Sequence, residues 1–366
     1  MRACVLGVGR MGTAIAYAMH KLGFDVTGMD TNIHAVDNMP KDSNCGFLVV
    51  EDAKDIITGL SIQAKFDIII SSLPYHQTEV IGLWCVENGV RYCDLGGRVD
   101  VSKNINDAAK DKATMPVFTD LGLAPGLVNI LAEEGCKQVH GQAEDVVMMV
   151  GGLPDYLEST KNPLRYAVTW SVDGLINEYR DDCLILEDGE IKVVKGMEGL
   201  EDVDGEKFGK MEAVYTSGGA SHSIHSMKER GVKNCSYKTL RYHGHRDMVR
   251  FLIRDCGLDD KTLEQIFVQG CGHAKEDEVI VAAKVKSGDK TWKKEILVKS
   301  NEMFSAMQQA TAFPISSVAA LMAEGLLEGN KDEHRDYYTQ YEKNLSYKDI
   351  PFNLFEDKLE ILGLRI

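Results

Sequence analysis

A glycine motif near the start of the chain constrains the fold more than any other feature. Gly7, Gly9 and Gly12 follow the apolar run at residues 3–8 in the spacing GxGxxG, and they lead into a predicted helix over residues 11–22. Gly7 permits a tight turn, Gly9 lets the backbone approach a pyrophosphate, and Gly12 lets the helix pack closely on the strand. The motif therefore predicts a dinucleotide-binding unit, with a ligand-free glycine turn as the alternative.

An acidic residue follows the second predicted strand, residues 25–29. Asp30 stands where a carboxylate accepts hydrogen bonds from an adenosine ribose and repels a 2′-phosphate. The following Thr31 and Asn32 supply no arginine for such a phosphate, although Arg10 in the glycine loop can reach one. We therefore expect NAD rather than NADP. The residues of this region that are predicted to bind it are Gly7, Gly9, Arg10, Met11, Gly12, Asp30 and Thr31.

Predicted strands and helices alternate as far as Thr119. Further strands are expected at residues 46–50, 67–71, 91–94 and 115–119, with helices at 77–87 and 103–112. This alternation is typical of a parallel, doubly wound sheet. The chain is therefore predicted to begin with an α/β Rossmann domain over residues 1–125.

Polar residues follow three of these strands, at the edge where open α/β sheets bind ligands. Ser72, Leu73 and Pro74 follow the fourth strand and are predicted to bind the cofactor near its nicotinamide ribose, with an ordinary connecting loop as an equal alternative. Asp94 and Asp120 follow the fifth and sixth strands. Either carboxylate can hold an ammonium group or accept its proton. The alternatives are stabilisation of the Gly96–Gly97 turn for Asp94, and capping of the helix after Pro125 or fixing of the loop for Asp120.

The pattern changes after Pro125, where strand-like segments outnumber helices up to residue 302. One of these predicted strands covers residues 164–170. Two hairpin turns are indicated, at residues 187–189 and 287–289. We expect an α+β domain with a mainly antiparallel sheet over residues 126–302, which binds substrate and forms a dimer.

From Met303 the pattern is helical again, and Pro314 is expected to kink that helix or to start a second one. We expect residues 303–366 to complete the Rossmann domain. The apolar residues of the tail that are predicted to pack on it are Tyr337, Tyr338, Tyr341, Phe352, Phe355 and Leu359.

Charge and cysteine usage narrow the partners and the compartment. The 366 residues include 41 Lys and Arg against 56 Asp and Glu, a net charge of −15 without a basic stripe, which argues against nucleic-acid binding. No apolar run approaches the ~18 residues of a membrane span, and the N-terminus lacks the features of a signal peptide. Nine dispersed cysteines without CxxC spacing predict free thiols in a reducing cytoplasm and no metal site.

Four later segments carry a family resemblance. Residues 120–129 (DLGLAPGLVN), 150–154 (VGGLP), 169–176 (TWSVDGLI) and 238–245 (KTLRYHGH) resemble the saccharopine dehydrogenase family, most closely its lysine 6-dehydrogenase branch. The resemblance implies a Rossmann domain with an inserted substrate domain and a homodimer. It also implies NAD(P)-dependent chemistry at a carbon–nitrogen bond of lysine, saccharopine or carboxynorspermidine. His243, where relatives often have Pro, and the His- and Ser-rich residues 217–225 depart from the pattern and bear on the substrate.

Arg241 is the first predicted substrate residue, because its planar guanidinium suits a carboxylate. An exposed structural arginine is the alternative. Lys238 lies three residues earlier and therefore points to the opposite face of an alternating strand. Ser217 and Tyr75 are also expected to contact substrate. His245 is a predicted acid or base beside Asp94 and Asp120, with a packing role as its alternative.

These predictions define one leading function and two alternatives. The leading hypothesis is an NAD(P)-dependent oxidoreductase that transfers hydride between nicotinamide and the amine or imine carbon of an amino acid. The first alternative is a reductive condensing enzyme of the saccharopine reductase or carboxynorspermidine dehydrogenase type. The second is a dinucleotide-binding regulator without catalytic activity.

Overall fold

A computed structural model describes residues 1–42, 44–62, 66–327 and 345–366. The chain divides into two compact units. Unit 1 comprises Met1–Ile130 and Ala310–Ile366, and unit 2 comprises Leu131–Gln309. These boundaries lie a few residues from the predicted ones at 125/126 and 302/303, and the roles assigned to the two domains stay predictions. Tyr337, Tyr338 and Tyr341 of the predicted tail lie outside the described residues.

The secondary-structure elements of the described residues are numbered in chain order. The strands are β1 Arg2–Leu6, β2 Asp25–Asp30, β3 Cys45–Val49, β4 Ile68–Ser71, β5 Tyr92–Asp94, β6 Val117–Phe118, β7 Asp145–Pro154, β8 Asp182–Glu187, β9 Glu190–Lys195, β10 Glu201–Gly205, β11 Gly209–Tyr215, β12 Asn234–Arg241, β13 Asp277–Ser287 and β14 Lys290–Lys299. The helices are α1 Arg10–Lys21, α2 Ala53–Ile62, α3 Tyr75–Asn88, α4 Val99–Lys112, α5 Leu127–Gln138, α6 Tyr156–Ser159, α7 Val172–Arg180, α8 Ser223–Glu229, α9 His245–Arg250, α10 Asp260–Gln265, α11 Ala306–Ala323 and α12 Phe352–Leu362. Single 3₁₀ segments cover Ile33–Asn38 and Tyr347–Asp349, and α9 and α10 continue into π-helical turns at Phe251–Asp255 and Ile266–Cys271.

Unit 1 contains a six-stranded parallel sheet in the order β3-β2-β1-β4-β5-β6. The strand order reverses between β1 and β4, which is where the ligand crevice of a doubly wound sheet forms. Leu6 pairs with Ser71, and Ser71 pairs with Asp94, so three strand ends lie side by side at the carboxyl edge. The predicted Rossmann fold is confirmed.

Apolar strands and helices of small residues explain this packing. β1 and β4 are buried along nearly their whole length, as expected for parallel strands covered on both faces. On α1 the buried alanines Ala14, Ala16 and Ala18 allow a close approach to the sheet. Phe355 and Leu359 of α12 are also fully buried.

Unit 2 contains an eight-stranded mixed sheet. Its main path is β10-β11-β12-β7-β13-β14, while β8 pairs with β9 and touches β12 at Cys235 and Leu186. The β12–β7 pair is parallel, and the remaining strand pairs that the structure describes in this sheet are antiparallel. The predicted α+β class with a mainly antiparallel sheet is therefore confirmed.

Two local predictions differ from the structure. The predicted strand at residues 164–170 is wrong, because only an isolated bridge from Val168 to His273 forms there. Arg165 adopts a positive φ of 52°, which interrupts an extended backbone. Pro314 lies inside the uninterrupted helix α11 rather than at the start of a second helix. Among the helices of the described part of the chain, none has the length and apolar character needed to cross a membrane.

Candidate active site

The glycine loop of unit 1 has the shape that a pyrophosphate requires. Gly7 has a φ of +79°, and its N–H donates to the carbonyl of Met29 over 2.8 Å. A Cβ on Gly12 would overlap the carbonyl oxygen of Gly7, whereas a Cβ on Gly9 would meet no protein atom within 4 Å. Gly9 caps α1 without a side-chain hydrogen bond. The open space beside Gly9 and the positive end of the helix dipole therefore fit a bound phosphate.

Asp30 lies beside this loop at the end of β2. Its Oδ2 accepts a hydrogen bond from the N–H of Val8 over 2.7 Å, and its Oδ1 accepts one from the N–H of Asn32 over 2.8 Å. The carboxylate is thus held in place by backbone on both sides. Of the neighbouring predicted residues, Met11 is half-buried, and Arg10 and Thr31 are exposed.

The loop after β4 packs against the glycine turn. The N–H of Ser72 donates to the carbonyl of Leu6 over 2.8 Å, and a Cβ on Gly7 would lie 2.9 Å from the Ser72 carbonyl oxygen and 3.2 Å from Leu73 Cδ2. Pro74 then caps α3. Tyr75, the first residue of that helix, is 45% exposed and has the Arg98 guanidinium over its ring at 5.3 Å.

Asp94 and Asp120 are brought together at the ends of β5 and β6. Asp94 is 1% exposed, and its Oδ1 accepts hydrogen bonds from the N–H groups of Gly96 (2.8 Å) and Asp120 (3.0 Å). Its buried Oδ2 has no hydrogen-bond partner among the described residues. Asp120 Oδ1 accepts a bond of 2.6 Å from the hydroxyl of Ser102. Asp94 therefore stabilises the turn at Gly96, which is its alternative role, and it also lies next to a second acidic residue, Asp120.

The backbone at Asp120 is unusual. Its φ of 65° lies in the left-handed region, which non-glycine residues seldom adopt outside sites where surrounding contacts impose it. The Tyr347 hydroxyl donates to the Asp120 carbonyl over 2.8 Å. Near the start of α5, the N–H of Gly126 donates a hydrogen bond to Asn129 Oδ1 over 2.8 Å. Asp120 is therefore held through its side chain by Ser102, through its N–H by Asp94 and through its carbonyl by Tyr347.

This environment tunes the acidity of Asp94. Burial and, to a smaller extent, the negative charge of Asp120 raise the pKa of its carboxyl to about 7, although the two backbone N–H groups oppose the rise. A carboxyl group with a pKa near neutrality can both accept and return a proton at physiological pH. Strongly shifted pKa values of this kind are typical of functional sites.

Arg241, in unit 2, is a buried cation that has no counterion among the described residues. It is 2% exposed, its Nε donates to the hydroxyl of Tyr179 (2.8 Å) and its Nη1 donates to the carbonyl of Leu240 (2.9 Å). Its guanidinium lies over the rings of Tyr166 and Tyr179, at 5.2 and 5.6 Å. No carboxylate of the described residues lies within 4.0 Å of it, although burying an unpaired charge is costly. The alternative of an exposed structural arginine is therefore wrong.

His245 occupies the far end of the same hydrogen-bond chain. Tyr179 donates its hydroxyl proton to His245 Nε2 (2.9 Å), and His245 Nδ1 donates to the carbonyl of Leu164 (2.6 Å). Burial and, to a smaller extent, the positive charge of Arg241 lower the pKa of His245 to about 3. A neutral imidazole with both nitrogens occupied orients Tyr179 and Arg241. These contacts favour the packing alternative over the predicted acid–base role.

The polar surroundings of Arg241 include residues that the sequence does not single out. Tyr166 Oη and Thr169 Oγ1 are buried without a hydrogen-bond partner among the described residues. The carbonyl of Glu178 accepts from the N–H of Ser217 (3.0 Å), which places that predicted substrate residue beside α7. Glu178 adjoins the buried stripe of α7, and an acid at such a position is a signal that helical periodicity can reveal. Lys238 instead donates to the carbonyl of Gly199 (2.7 Å).

Two family models match the chain. Residues 2–97 match the NAD binding domain of 6-phosphogluconate dehydrogenase, and residues 122–335 match the saccharopine dehydrogenase C-terminal domain. Unit 1 thus contains a domain of the NAD(P)-binding type, in agreement with its glycine loop and strand order. The second match extends over more than half of the chain.

Curated relatives and a solved structure point the same way. The chain is 27% identical over 199 residues to mouse (Mus musculus) mitochondrial alpha-aminoadipic semialdehyde synthase, covering 53% of this chain and 21% of that protein. It is 29% identical over 138 residues to saccharopine dehydrogenase [NADP(+), L-glutamate-forming] from Pyricularia oryzae, covering 37% of this chain and 30% of that protein. The chain therefore matches well under half the length of either relative.

The fold is similar to that of apo saccharopine dehydrogenase (L-Glu forming) from Saccharomyces cerevisiae. The TM-score is 0.67 with 15% identity, over 90% of this chain and 92% of that one. At this identity the likeness concerns the fold alone. The family itself is shown by the C-terminal domain model, whose match includes the segments around Thr169 and Arg241. The chain therefore belongs to the saccharopine dehydrogenase family.

Proposed function

We propose that the protein is an NAD(P)-dependent oxidoreductase that acts on a carbon–nitrogen bond of an amino acid, as in the lysine 6-dehydrogenase and saccharopine dehydrogenase branches. The observation that carries the proposal is the buried guanidinium of Arg241, which lacks a counterion in a chain that also has a nucleotide cradle. A substrate carboxylate is the anion that its planar donors fit best.

In unit 1, Gly7, Gly9 and Gly12 would hold the pyrophosphate and Asp30 the adenosine ribose. The Ser72–Pro74 loop packs on the glycine turn and would border the cofactor. A bound nicotinamide supplies the hydride acceptor or donor.

The remaining chemistry falls to side chains of the protein. An ammonium group must lose a proton before its carbon can be oxidised, and the Oδ2 atom of Asp94 is a buried acceptor whose pKa suits that step. Asp120 keeps the proton affinity of Asp94 high by its negative charge. In unit 2, Arg241 would bind the substrate carboxylate, while Tyr179 and His245 hold the guanidinium in place.

We further propose a preference for NAD, because the fixed carboxylate of Asp30 would repel a 2′-phosphate. The Pyricularia relative is named for NADP(+), so this preference is a point on which the chain is expected to differ from it.

A homodimer in a reducing compartment, most simply the cytoplasm, completes the proposal. The strands β10 and β14 lie at the two ends of the main strand path of unit 2 and present backbone N–H and C=O groups at its edges. A second subunit could pair with these edges or shield them. All nine cysteines lie in the described part of the chain, and all are free thiols. Sedimentation of the purified protein would test the dimer.

Formation of NAD(P)H from a panel of amino acids tests the main proposal. The panel includes lysine and saccharopine, each with NAD and with NADP. Amino-acid-dependent NADH formation is the expected result. Turnover only in the reverse direction, from an amine and an aldehyde with NADH, would instead support the condensing enzyme. Cofactor binding without turnover in either direction would support the regulator.

A further inference from the structure

Glu178 is a second unpaired charged group near Arg241. It lies on α7 and is half-buried, and its carboxylate has neither a hydrogen bond nor an ion pair within 4.0 Å among the described residues. Its main chain is held by the hydrogen bond from Ser217. A half-buried carboxylate without a pairing partner among the described residues is available to bind a cationic group.

The charges of Glu178 and Arg241 influence each other without direct contact. The positive charge of Arg241 favours the ionised form of Glu178, yet no ion pair within 4.0 Å joins them. Unit 2 therefore has a buried cation at Arg241 and a half-buried anion at Glu178, next in the chain to the Tyr179 that holds Arg241, and neither has an ion pair among the described residues. A ligand that carries a carboxylate and an ammonium group on one carbon complements both charges at once.

We propose that Glu178 binds the α-ammonium group of the substrate whose carboxylate is bound by Arg241, so that unit 2 recognises the head group of a free α-amino acid. The inference rests on the proposed function for its substrate class. It adds a specificity-determining residue, and it requires that the substrate enter with both head-group charges intact.

The ionisation of Glu178 gives the site a pH dependence. Burial raises the pKa of Glu178 to about 7, and Arg241 opposes this rise. The other titratable groups that interact with Glu178 lie on α7, β8, β12 and the loop before α7, and burial raises the pKa of each; they are Tyr179, Cys183, Tyr237 and Tyr166. These four groups are neutral near pH 7, and burial lowers the pKa of nearby His245 to about 3. Glu178 is therefore the group in this cluster that titrates near neutrality.

Pairs of ligands that differ only in the α-ammonium group provide the test. We would measure binding of L-lysine against ε-aminocaproate, and of L-glutamate against glutarate, by calorimetry with the full-length protein. For any amino acid that binds the wild type, its partner without the α-ammonium is expected to bind about 10- to 100-fold more weakly. In Glu178→Gln this affinity gap, meaning the difference in Kd between an amino acid and its partner without the α-ammonium group, should close. The affinity of the wild type should also fall between about pH 8 and about pH 6, and that of Glu178→Gln should not.

Asp173→Asn is the matched control, because Asp173 is an exposed acid on the same helix. It should keep both the gap and the pH dependence. The inference is overturned if Glu178→Gln, folded by circular dichroism, retains the gap, or if no amino acid of the panel binds the wild type. Turnover with NAD(P) is scored separately. If the affinity gap closes in Glu178→Gln but no amino acid is turned over, the head-group site is supported and the proposed function is contradicted. If an amino acid is turned over but the gap is unchanged, the proposed function is supported and the head-group site is contradicted.

Discussion

Asp94 accepts a hydrogen bond from the backbone N–H of Asp120 over 3.0 Å, and both acidic residues are buried. Burial and the negative charge of Asp120 raise the pKa of Asp94 to about 7. Asp94 therefore holds a proton up to near neutral pH, at the edge where a Rossmann sheet binds its ligands.

Asp94→Asn tests this stored proton. Folding raises the pKa of Asp94 from its ordinary value to about 7, so the folded state holds a proton that the unfolded state releases between about pH 4 and pH 7. The free energy of unfolding of the wild type should fall as the pH rises across that range, and Asp94 should contribute on the order of 4 kcal/mol of the fall. Glu178, whose pKa is also raised to about 7, contributes a separate part. Asn keeps an acceptor oxygen for the N–H groups of Gly96 and Asp120 and cannot ionise. The variant should lose the part of the decline that Asp94 contributes, and its turnover should fall by about 10²- to 10⁴-fold.

Urea unfolding at a series of pH values measures the first effect and steady-state kinetics the second. Asp107→Asn is the control, since Asp107 is an exposed α4 residue in surface ion pairs with Lys103 and Lys110. Such pairs contribute little. A wild-type pH dependence that persists undiminished in Asp94→Asn would assign the proton to another group.

Gly9→Ala separates cofactor binding from folding. Gly9 has a φ of −77°, which alanine adopts freely, and a Cβ there meets no protein atom within 4 Å. We expect the free energy of unfolding to change by less than about 1 kcal/mol, because such a substitution strains nothing. The methyl group would occupy the space where a pyrophosphate approaches, so the Kd for NAD should rise about 10-fold or more.

Gly12→Ala provides the contrast for that variant. Its Cβ would overlap the carbonyl oxygen of Gly7, so the turn must shift and stability should fall by about 1–3 kcal/mol. Thermal unfolding and calorimetric titration with NAD distinguish the two effects. Unchanged NAD affinity in a folded Gly9→Ala protein would place the cofactor elsewhere.

Asp30→Asn should shift cofactor preference. The amide keeps the size of the side chain and removes the charge that repels a 2′-phosphate. The ratio of kcat/KM for NAD to that for NADP is expected to fall about 10-fold, which corresponds to about 1.4 kcal/mol. Asp25→Asn, at the exposed opposite end of β2, should leave the ratio unchanged. If Asp30→Asn also leaves it unchanged, Asp30 does not select the cofactor.

Tyr179→Phe removes the hydroxyl that links Arg241 to His245. Arg241 Nε and His245 Nε2 would each lose a buried hydrogen bond, which should cost about 1–3 kcal/mol of stability. A loosely held guanidinium binds a carboxylate less well, so KM for the amino acid should rise more than kcat falls. Tyr156→Phe, an exposed tyrosine in the same unit, should change neither quantity. A kcat loss at constant KM would argue that Tyr179 contacts the reacting atoms.

Much of unit 1 follows from local patterns. The glycine spacing, the apolar strands and the alternation with helices correctly predict a parallel sheet, because each depends on backbone preferences and on residues close in sequence. Local patterns predict less of unit 2. Residues 164–170 have the composition of a strand, but the positive φ of Arg165 breaks it and Tyr166 packs in the core with Tyr179 and Phe267.

The candidate site divides in the same way. The positions of Asp94 and Asp120 at strand ends, and of Arg241 in a family motif, are enough to single these residues out. Glu178 and Tyr179 lie neither at a strand end nor in such a motif. Helical periodicity marks only the place of Glu178 beside the buried stripe of α7, and the importance of both residues depends on which distant residues surround them. The sequence predicts that His245 exchanges protons, yet the contacts with Leu164 and Tyr179 keep it neutral.

The sequence by itself determined the two kinds of fold, the nucleotide cradle and the family, because turns, periodicity and motif spacing are local properties of a chain. Only the tertiary structure decided which polar groups are buried and which of them lack a partner. Asp94 becomes a proton-holding group beside Asp120 through burial and through contacts between residues far apart in the chain. Arg241 and Glu178 are opposite charges without an ion pair among the described residues for the same reason. The energy of a buried charge depends on its whole surroundings, which no local pattern contains.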